Sequence, residues 1–208
     1  MKKYFVLILI IVLSCNQKEH VEEKRIVKKE NIAKITDWQE GFNLSHNPKN
    51  DSIWGKPVEF YLNNKNCDST AIKFYFGKYR PTDEPETQRL LNLTPTNNDS
   101  LRPFYRWILN KTILIQDGAL GEYTGVSARR YAEKYPKEFF EYMDFDKSGE
   151  KYLDWTNAIL YSGFYDKEDF KDSKQIQTDL IQTMSLNCKN CDEKMKNRID
   201  KFANDCFP

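Results

Sequence analysis

Apolar residues recur every three or four positions through the second half of the chain, a spacing typical of amphipathic helices. The clearest series begins after Asp99 or Ser100, either of which is a favourable N-cap, and runs from Leu101 to Ile115. Gly163 is predicted to end a later helix. The pattern predicts six helices, at about residues 101–115, 120–135, 136–143, 150–162, 173–188 and 192–204.

The preceding stretch, residues 34–98, has a weaker pattern and is predicted to be rich in loops, because Asn and Pro cluster in it. One or two helical turns are expected at 87–93. The aromatic segment 70–79 follows two good N-cap residues, Asp68 and Ser69. Its periodicity alone leaves it ambiguous between helix and strand.

These elements predict an all-α fold of about six helices in one helical domain, residues 34–208, of which 99–208 is the regular part. Short links imply antiparallel neighbours, arranged as an irregular bundle or an array of helical hairpins. HEAT-like stacking is an alternative, although no repeat of fixed period supports it. The low content of Gly and Pro, 8 of each, disfavours a turn-dense β-sandwich.

The N-terminus carries a separate signal. Two lysines precede an apolar run, Tyr4–Leu13, which is shorter than the ~20 residues a membrane-spanning helix needs and suits a signal peptide. The run ends on Ser14 and Cys15, and this stretch resembles the lipobox of bacterial lipoproteins, with Val12 where Leu is commoner. The resemblance implies cleavage of residues 1–14 and lipidation of Cys15, which becomes a membrane anchor.

Residues 15–33 are charged and are predicted to form a tether between the lipid and the domain. Asn16 replaces the Asp that favours inner-membrane retention in enterobacterial-type lipoproteins, so the resemblance favours an outer membrane. Gln17–Glu19 also resembles the export tag of lipoproteins from Bacteroidota-like bacteria, although His20 departs from it. The expected location is the bacterial cell envelope, and the choice between periplasmic and surface-facing stays open.

Charge excludes one class of partner. Cleavage removes two of the 32 basic residues, and the remaining 30 nearly balance 31 acidic residues. Nucleic-acid binding requires a basic excess, so no nucleic-acid partner is expected. Binding to membranes by charge alone is disfavoured for the same reason.

Once Cys15 is assigned to lipid, four cysteines remain: Cys67, Cys188, Cys191 and Cys206. Disulfides are permitted in an exported chain. A straight helix would hold Cys191 and Cys206 about 22 Å apart, which excludes that pair. Two pairings are left, Cys188–Cys191 with Cys67–Cys206, or Cys188–Cys206 with Cys67–Cys191, and the first is preferred. A redox role for the C-x-x-C motif lacks the βαβ context it usually has.

Asp144, Asp146 and Ser148 match the start of an EF-hand calcium loop, with Gly149 following at position six. The match then fails, because position twelve is Trp155 instead of the bidentate Glu. An acidic turn between helices explains the same residues. No metal ligand, cofactor site or catalytic residue is therefore assigned, and the nearby carboxylates of Asp117 and Glu122 are an ordinary pair in an acid-rich chain.

Aromatic residues make up 14% of the chain and cluster around 74–76, 104–107 and 161–165. Most are expected in the core, whereas exposed ones can anchor a partner. The expected function is a non-catalytic, lipid-anchored binding module for an unidentified protein or glycan. The alternatives are a hydrolytic or thiol-redox envelope enzyme, and an immunity-type lipoprotein.

Overall fold

The computed structural model describes residues 37–165 and 173–208, which contain nine α-helices, one 3₁₀ helix (Asp37–Gln39) and a two-stranded sheet. The predicted all-α fold is confirmed. The helices, in chain order, are α1 (Val58–Leu62), α2 (Ser69–Tyr75), α3 (Pro85–Leu91), α4 (Arg102–Ile115), α5 (Gly118–Lys134), α6 (Pro136–Asp144), α7 (Glu150–Tyr165), α8 (Ser173–Asn187) and α9 (Glu193–Cys206).

Helices α4 to α9 match the six predicted from periodicity, with two differences at their ends. Asp99 does not cap α4. It forms an ion pair of 2.7 Å with Arg102, the first residue of that helix. Helix α7 continues past Gly163. A Cβ at Gly163 would lie 3.1 Å from side-chain atoms of Ile176 and Phe207, so this glycine makes room for packing and does not end the helix.

The loop-rich stretch holds more helix than expected, and α1, α2 and α3 raise the count from the predicted six to nine within the described residues. The ambiguous aromatic segment forms α2. Its N-cap is Asp68, whose carboxylate accepts hydrogen bonds from the backbone N–H groups of Thr70 (2.8 Å) and Ala71 (3.3 Å). The cap satisfies N–H groups that would otherwise lack partners at a helix start.

A small hairpin precedes α1. Strands β1 (Ser52–Ile53) and β2 (Lys56–Pro57) pair antiparallel. The two residues of its turn, Trp54 and Gly55, have φ angles of 51° and 74°. Two successive positive φ angles fit the twist of a tight hairpin, although a bulky residue rarely adopts one. Trp54 is therefore held at the tip of the turn.

Helix α5 is the centre of the bundle. It contacts α3, α4, α6, α7 and α8, while α8 and α9 pack on each other. In a HEAT-like solenoid each repeat contacts only its neighbours, so contacts of one helix with five others favour the irregular bundle.

Helices α5 and α7 approach each other closely at Gly125. A Cβ at this position would overlap the carbonyl oxygen of Ala158 and lie 3.2 Å from the backbone nitrogen of Ser162. The absence of a side chain therefore sets the separation of the two helices.

Aromatic side chains fill much of the core. Phe74, Phe104 and Trp155 are fully buried, as the sequence led us to expect for most aromatics. The Trp155 indole nitrogen donates a hydrogen bond of 2.8 Å to Asn110, which satisfies its polar atom inside the core. Tyr161, by contrast, is about half exposed.

Within residues 37–165 and 173–208, every helix is too short or too polar to cross a membrane. The proposed signal peptide, Cys15 and the tether lie outside the described residues. Their assignment rests on the sequence.

Candidate functional site

The most unusual polar group in the described structure is the guanidinium of Arg106, in the middle of α4. It is only 1% exposed, yet its Cζ lies 4.3 Å from the ring centroid of Trp54 and 4.1 Å from that of Tyr142. The cation is thus enclosed by aromatic faces, an arrangement that stabilises a charge away from water. We refer to the following residues as the Arg106 site: Trp54, Arg106, Tyr131, Glu138, Tyr142 and Phe145.

Only one guanidinium nitrogen of Arg106 has protein acceptors. Nη1 donates to the Tyr131 hydroxyl (2.9 Å) and to Oε1 of Glu138 (3.1 Å), and the Tyr131 hydroxyl in turn donates to the same carboxylate oxygen (2.9 Å). Nε and Nη2 are buried and have no hydrogen-bond partner in the described structure. Buried donors are almost always satisfied, so two unsatisfied donors on one side chain need an explanation.

The outer side of the site is aromatic and exposed. Phe145 is 74% exposed and Trp54 is 37% exposed, and their ring centroids lie 4.8 Å apart at an interplanar angle of 52°. The Trp54 ring also meets Tyr142 edge-on at 5.8 Å. Large exposed aromatic side chains in contact with one another are typical of surfaces that bind a partner.

Four separate elements bring these residues together. The hairpin turn presents Trp54, and β1 contacts α4, which carries Arg106. Helix α5 supplies Tyr131. Helix α6 supplies Glu138 and Tyr142, and Phe145 follows directly at its C-cap. The site therefore exists only once the hairpin, α4, α5 and α6 have packed.

Charged side chains of both signs lie beside the site. The Lys151 ammonium lies 4.2 Å from the ring centroid of Tyr142, on the ring that also stacks on Arg106. Burial lowers the pKa of Lys151, and the charge of Arg106 lowers it further, while Asp146 opposes the change. Burial likewise raises the pKa of Tyr142, although the charge of Arg106 counteracts this. Among the described residues, Glu138 is the carboxylate that is hydrogen-bonded to Arg106.

The calcium-loop candidates hold structural partners instead of converging on one point. Asp144 forms two hydrogen bonds with Arg198, of 2.7 and 3.0 Å. Asp146 accepts bonds from the backbone of Ser148 (3.0 Å) and Lys151 (2.8 Å), and from the Ser148 hydroxyl. No cluster of three or more potential metal ligands of the His, Cys, Asp or Glu type occurs in the described part of the chain. These residues form an acidic turn before α7.

One of the two predicted disulfides is present. Cys188 and Cys191 are bonded, with a Cα–Cα distance of 5.6 Å, in the link between α8 and α9. The expected Cys67–Cys206 pair is not formed, because Cys67 lies beside Asp68 at the start of α2, whereas Cys206 is buried at the end of α9. Burial raises the pKa of Cys67 to about 11 and also raises that of Cys206, so both stay as unreactive thiols at neutral pH.

A cavity of about 280 Å³ lies beside the α4–α5 turn, lined by Gln116, Asp117, Gly118, Gly121 and Tyr161. The Asp117 carboxylate accepts a hydrogen bond from the backbone of Leu120 (3.0 Å) and caps α5. The Asp117 carboxylate therefore has a structural role, and Glu122 is not among the residues described as lining the cavity. The two carboxylates do not share a site there.

Sequence reasoning missed the Arg106 site. One signal was present: Arg106 precedes Leu109 by three residues and Ile113 by seven, which places an arginine on the same buried face of α4 as these two residues. No known protein family, curated protein or solved structure matches this chain. The site is therefore judged on its own geometry.

Proposed function

We propose that this protein is a lipid-anchored protein of the bacterial cell envelope that binds a partner protein at the Arg106 site and has no catalytic role. The observation that carries the proposal is the exposed pair of Trp54 and Phe145 above a buried guanidinium with unused donors. Trp, Tyr and Arg are the residues that contribute most to binding energy at protein interfaces.

The shape of the aromatic surface favours a protein over a glycan. Sugar rings stack on a flat aromatic face, whereas the rings of Trp54 and Phe145 are tilted by 52°. One face of Trp54 is also occupied by the guanidinium of Arg106. The exposed parts of the two rings form an apolar surface that a side chain of a partner can contact.

The anchor is supported by the resemblance of residues 1–15 to a lipobox. Metabolic labelling with a fatty-acid analogue tests it, and we expect label on the wild-type protein and none on Cys15→Ser. An unlabelled wild-type protein would contradict the anchor without affecting the binding site.

Site-specific photocrosslinking in intact cells tests the binding surface. A benzophenone amino acid incorporated in place of Phe145 is expected to give a defined crosslinked product, which Trp54→Ala abolishes. Leu186, on α8, is a matched control because it is also 74% exposed and apolar. Equal products from positions 145 and 186, or none from 145, would contradict the proposal.

A further inference from the structure

We propose that Nε–H and Nη2–H of Arg106 bind a carboxylate of the partner protein, on an acidic segment that also carries an apolar side chain. This inference rests on the proposed function, because it names the chemistry that the same site recognises. The apolar side chain would contact Trp54 and Phe145, and the carboxylate would reach the guanidinium below them.

The two free donors lie on one edge of the guanidinium. In arginine, Nε–H and one N–H of Nη2 point in parallel directions, and this edge matches the two oxygens of a carboxylate. The protein uses the remaining nitrogen, Nη1, for Tyr131 and Glu138. The two donors without an acceptor therefore form one complete bidentate edge. They are not two N–H groups that point in different directions.

One arginine shows that this fold can occupy such an edge. Arg89 donates from Nε and Nη2 to the two carboxylate oxygens of Glu86, at 3.1 and 2.8 Å. Arg106 presents the same edge but has no carboxylate on it within the described residues. The pair Arg89–Glu86 is therefore an internal example of the contact that we infer for Arg106 and its partner.

Access requires movement of one side chain. Of the two rings that flank the guanidinium, Tyr142 is buried, whereas Trp54 is 37% exposed at the tip of a two-residue turn. Rotation of Trp54, the more exposed of the two rings, would open the guanidinium to a ligand. Lys151, close to the same Tyr142 ring, adds a second positive charge beside the guanidinium.

Proton–nitrogen NMR of arginine Nε–H groups, on the full-length protein in detergent micelles, tests the inference directly. The probes are N-acetylphenylalanine and its amide, N-acetylphenylalaninamide, which share the apolar side chain but differ in the carboxylate. We expect the Arg106 Nε–H signal, assigned from its absence in Arg106→Lys, to move downfield with the acid. The acid is expected to bind at least tenfold more tightly than the amide.

Two variants carry the same substitution. Arg106→Lys keeps a positive charge but loses the bidentate edge, so we expect at least tenfold weaker binding of the acid. Arg198→Lys is the control, because the terminal nitrogens of Arg198 already bind Asp144, and the affinity of this variant for the acid is expected to stay within twofold of wild type. If Arg106→Lys fails to fold, the affinities of the wild-type protein for the acid and for the amide still decide the question, since that comparison needs no assignment of the signal.

Each contrary result has a defined meaning. Equal affinities for the acid and the amide would overturn carboxylate recognition. The absence of any shift of the Nε–H signal would overturn it as well, and that result is expected if only an ordered water molecule occupies the edge. Tighter binding of glucuronate than of N-acetylphenylalanine would overturn the assignment to a protein and indicate an acidic glycan. If crosslinking at position 145 succeeds while these titrations fail, the proposed function stands and this inference does not.

Discussion

Arg102 and Arg106 lie one turn apart on α4, and the fold treats them very differently. Arg102 has an acceptor for each nitrogen: Glu138 for Nε (2.8 Å), the Thr96 carbonyl for Nη1 (2.9 Å) and Asp99 for Nη2 (2.7 Å). Arg106 shares Glu138 and is also stacked on aromatic rings, but uses one nitrogen only. Both guanidinium groups are largely buried.

The difference separates a structural from a functional arginine. The guanidinium of Arg102 has an acceptor for every nitrogen, and its bonds join α4 to the preceding loop and to Glu138 on α6. It has no donor left for a ligand. The unsatisfied guanidinium of Arg106 lowers stability, since buried donors without acceptors are costly. Proteins place such local costs at sites where another molecule completes the arrangement.

The largest expected effect comes from removing the carboxylate of Glu138, which both arginines bind. Glu138→Gln leaves two buried guanidinium groups without their carboxylate, and we expect the free energy of unfolding to fall by about 3 kcal/mol. Urea denaturation of the full-length protein measures it. Glu193→Gln is the control, because Glu193 forms an exposed pair with Lys196 and its loss should cost under about 0.5 kcal/mol. Equal losses would mean that Glu138 does not hold the two arginines.

The next prediction compares the arginines directly. Arg102→Lys loses directed bonds to three acceptors, and we expect it to lower the free energy of unfolding by about 2 kcal/mol. Arg106→Lys removes two unsatisfied donors together with one bonded nitrogen, so about 1 kcal/mol or less is expected. The same denaturation experiment gives both values. A larger loss at Arg106 would indicate that its free edge is already satisfied, and would remove the distinction.

On the exposed side of the site, substitutions at Trp54 are expected to affect stability, and a substitution at Phe145 is expected to affect binding. Trp54→Ala loses its contact with the guanidinium, and we expect a loss of stability of about 1–2 kcal/mol. Trp54→Gly should cost less than Trp54→Ala by up to about 1 kcal/mol, because glycine adopts the φ of 51° without strain. Thermal unfolding ranks the variants. Identical values for Ala and Gly would show that the turn is unstrained.

Phe145→Ala should change stability by less than about 0.5 kcal/mol, because this side chain is mostly exposed. The same variant should nevertheless weaken binding of N-acetylphenylalanine several-fold, since it removes half of the exposed aromatic pair. Loss of stability without loss of binding would contradict its assignment to the site.

The smallest effect concerns the satisfied pair, Arg198 with Asp144. Hydrogen bonds from Arg198 hold the pKa of Asp144 below its usual value of 3.8, so the pair stabilises the protein above about pH 4 and ceases to do so as the pH falls through the lowered pKa. Asp144→Asn should cost under about 0.5 kcal/mol at pH 7, because the pair is exposed. The difference from wild type should shrink as the pH falls below about 4 and through the lowered pKa of Asp144, as measured by urea denaturation. A constant difference would contradict this pairing.

The long helices could be predicted from the sequence, because a single stripe of apolar residues along one face is enough to identify a helix. Leu101, Phe104 and Ile108 mark α4 without any knowledge of what they pack against. The short helices α1 and α3 show little periodicity, since they span only five and seven residues, although helical turns were expected near α3, at 87–93. Gly163 misled for a related reason: a local rule for helix ends cannot see that Ile176 and Phe207 need its space.

The candidate site could not be predicted, because it depends on distant contacts. Trp54, Arg106 and Tyr142 belong to a hairpin and two helices, and nothing in their local sequences indicates that they meet. The apolar stripe predicted for α4 did not include Arg106 either. The Cys188–Cys191 disulfide, by contrast, spans three positions and was within reach of sequence reasoning, whereas the fate of Cys67 and Cys206 depended on the tertiary fold.

The close approach of α5 and α7 at Gly125 also has a genetic consequence. No larger residue fits there without displacing the backbone of Ala158, so Gly125→Ser should weaken the whole bundle although it substitutes no residue of the Arg106 site. Such an allele is expected to be temperature-sensitive, active in cells grown cool and lost on warming. It would allow the protein to be withdrawn from a living cell at a chosen moment, and the phenotype that follows to be observed.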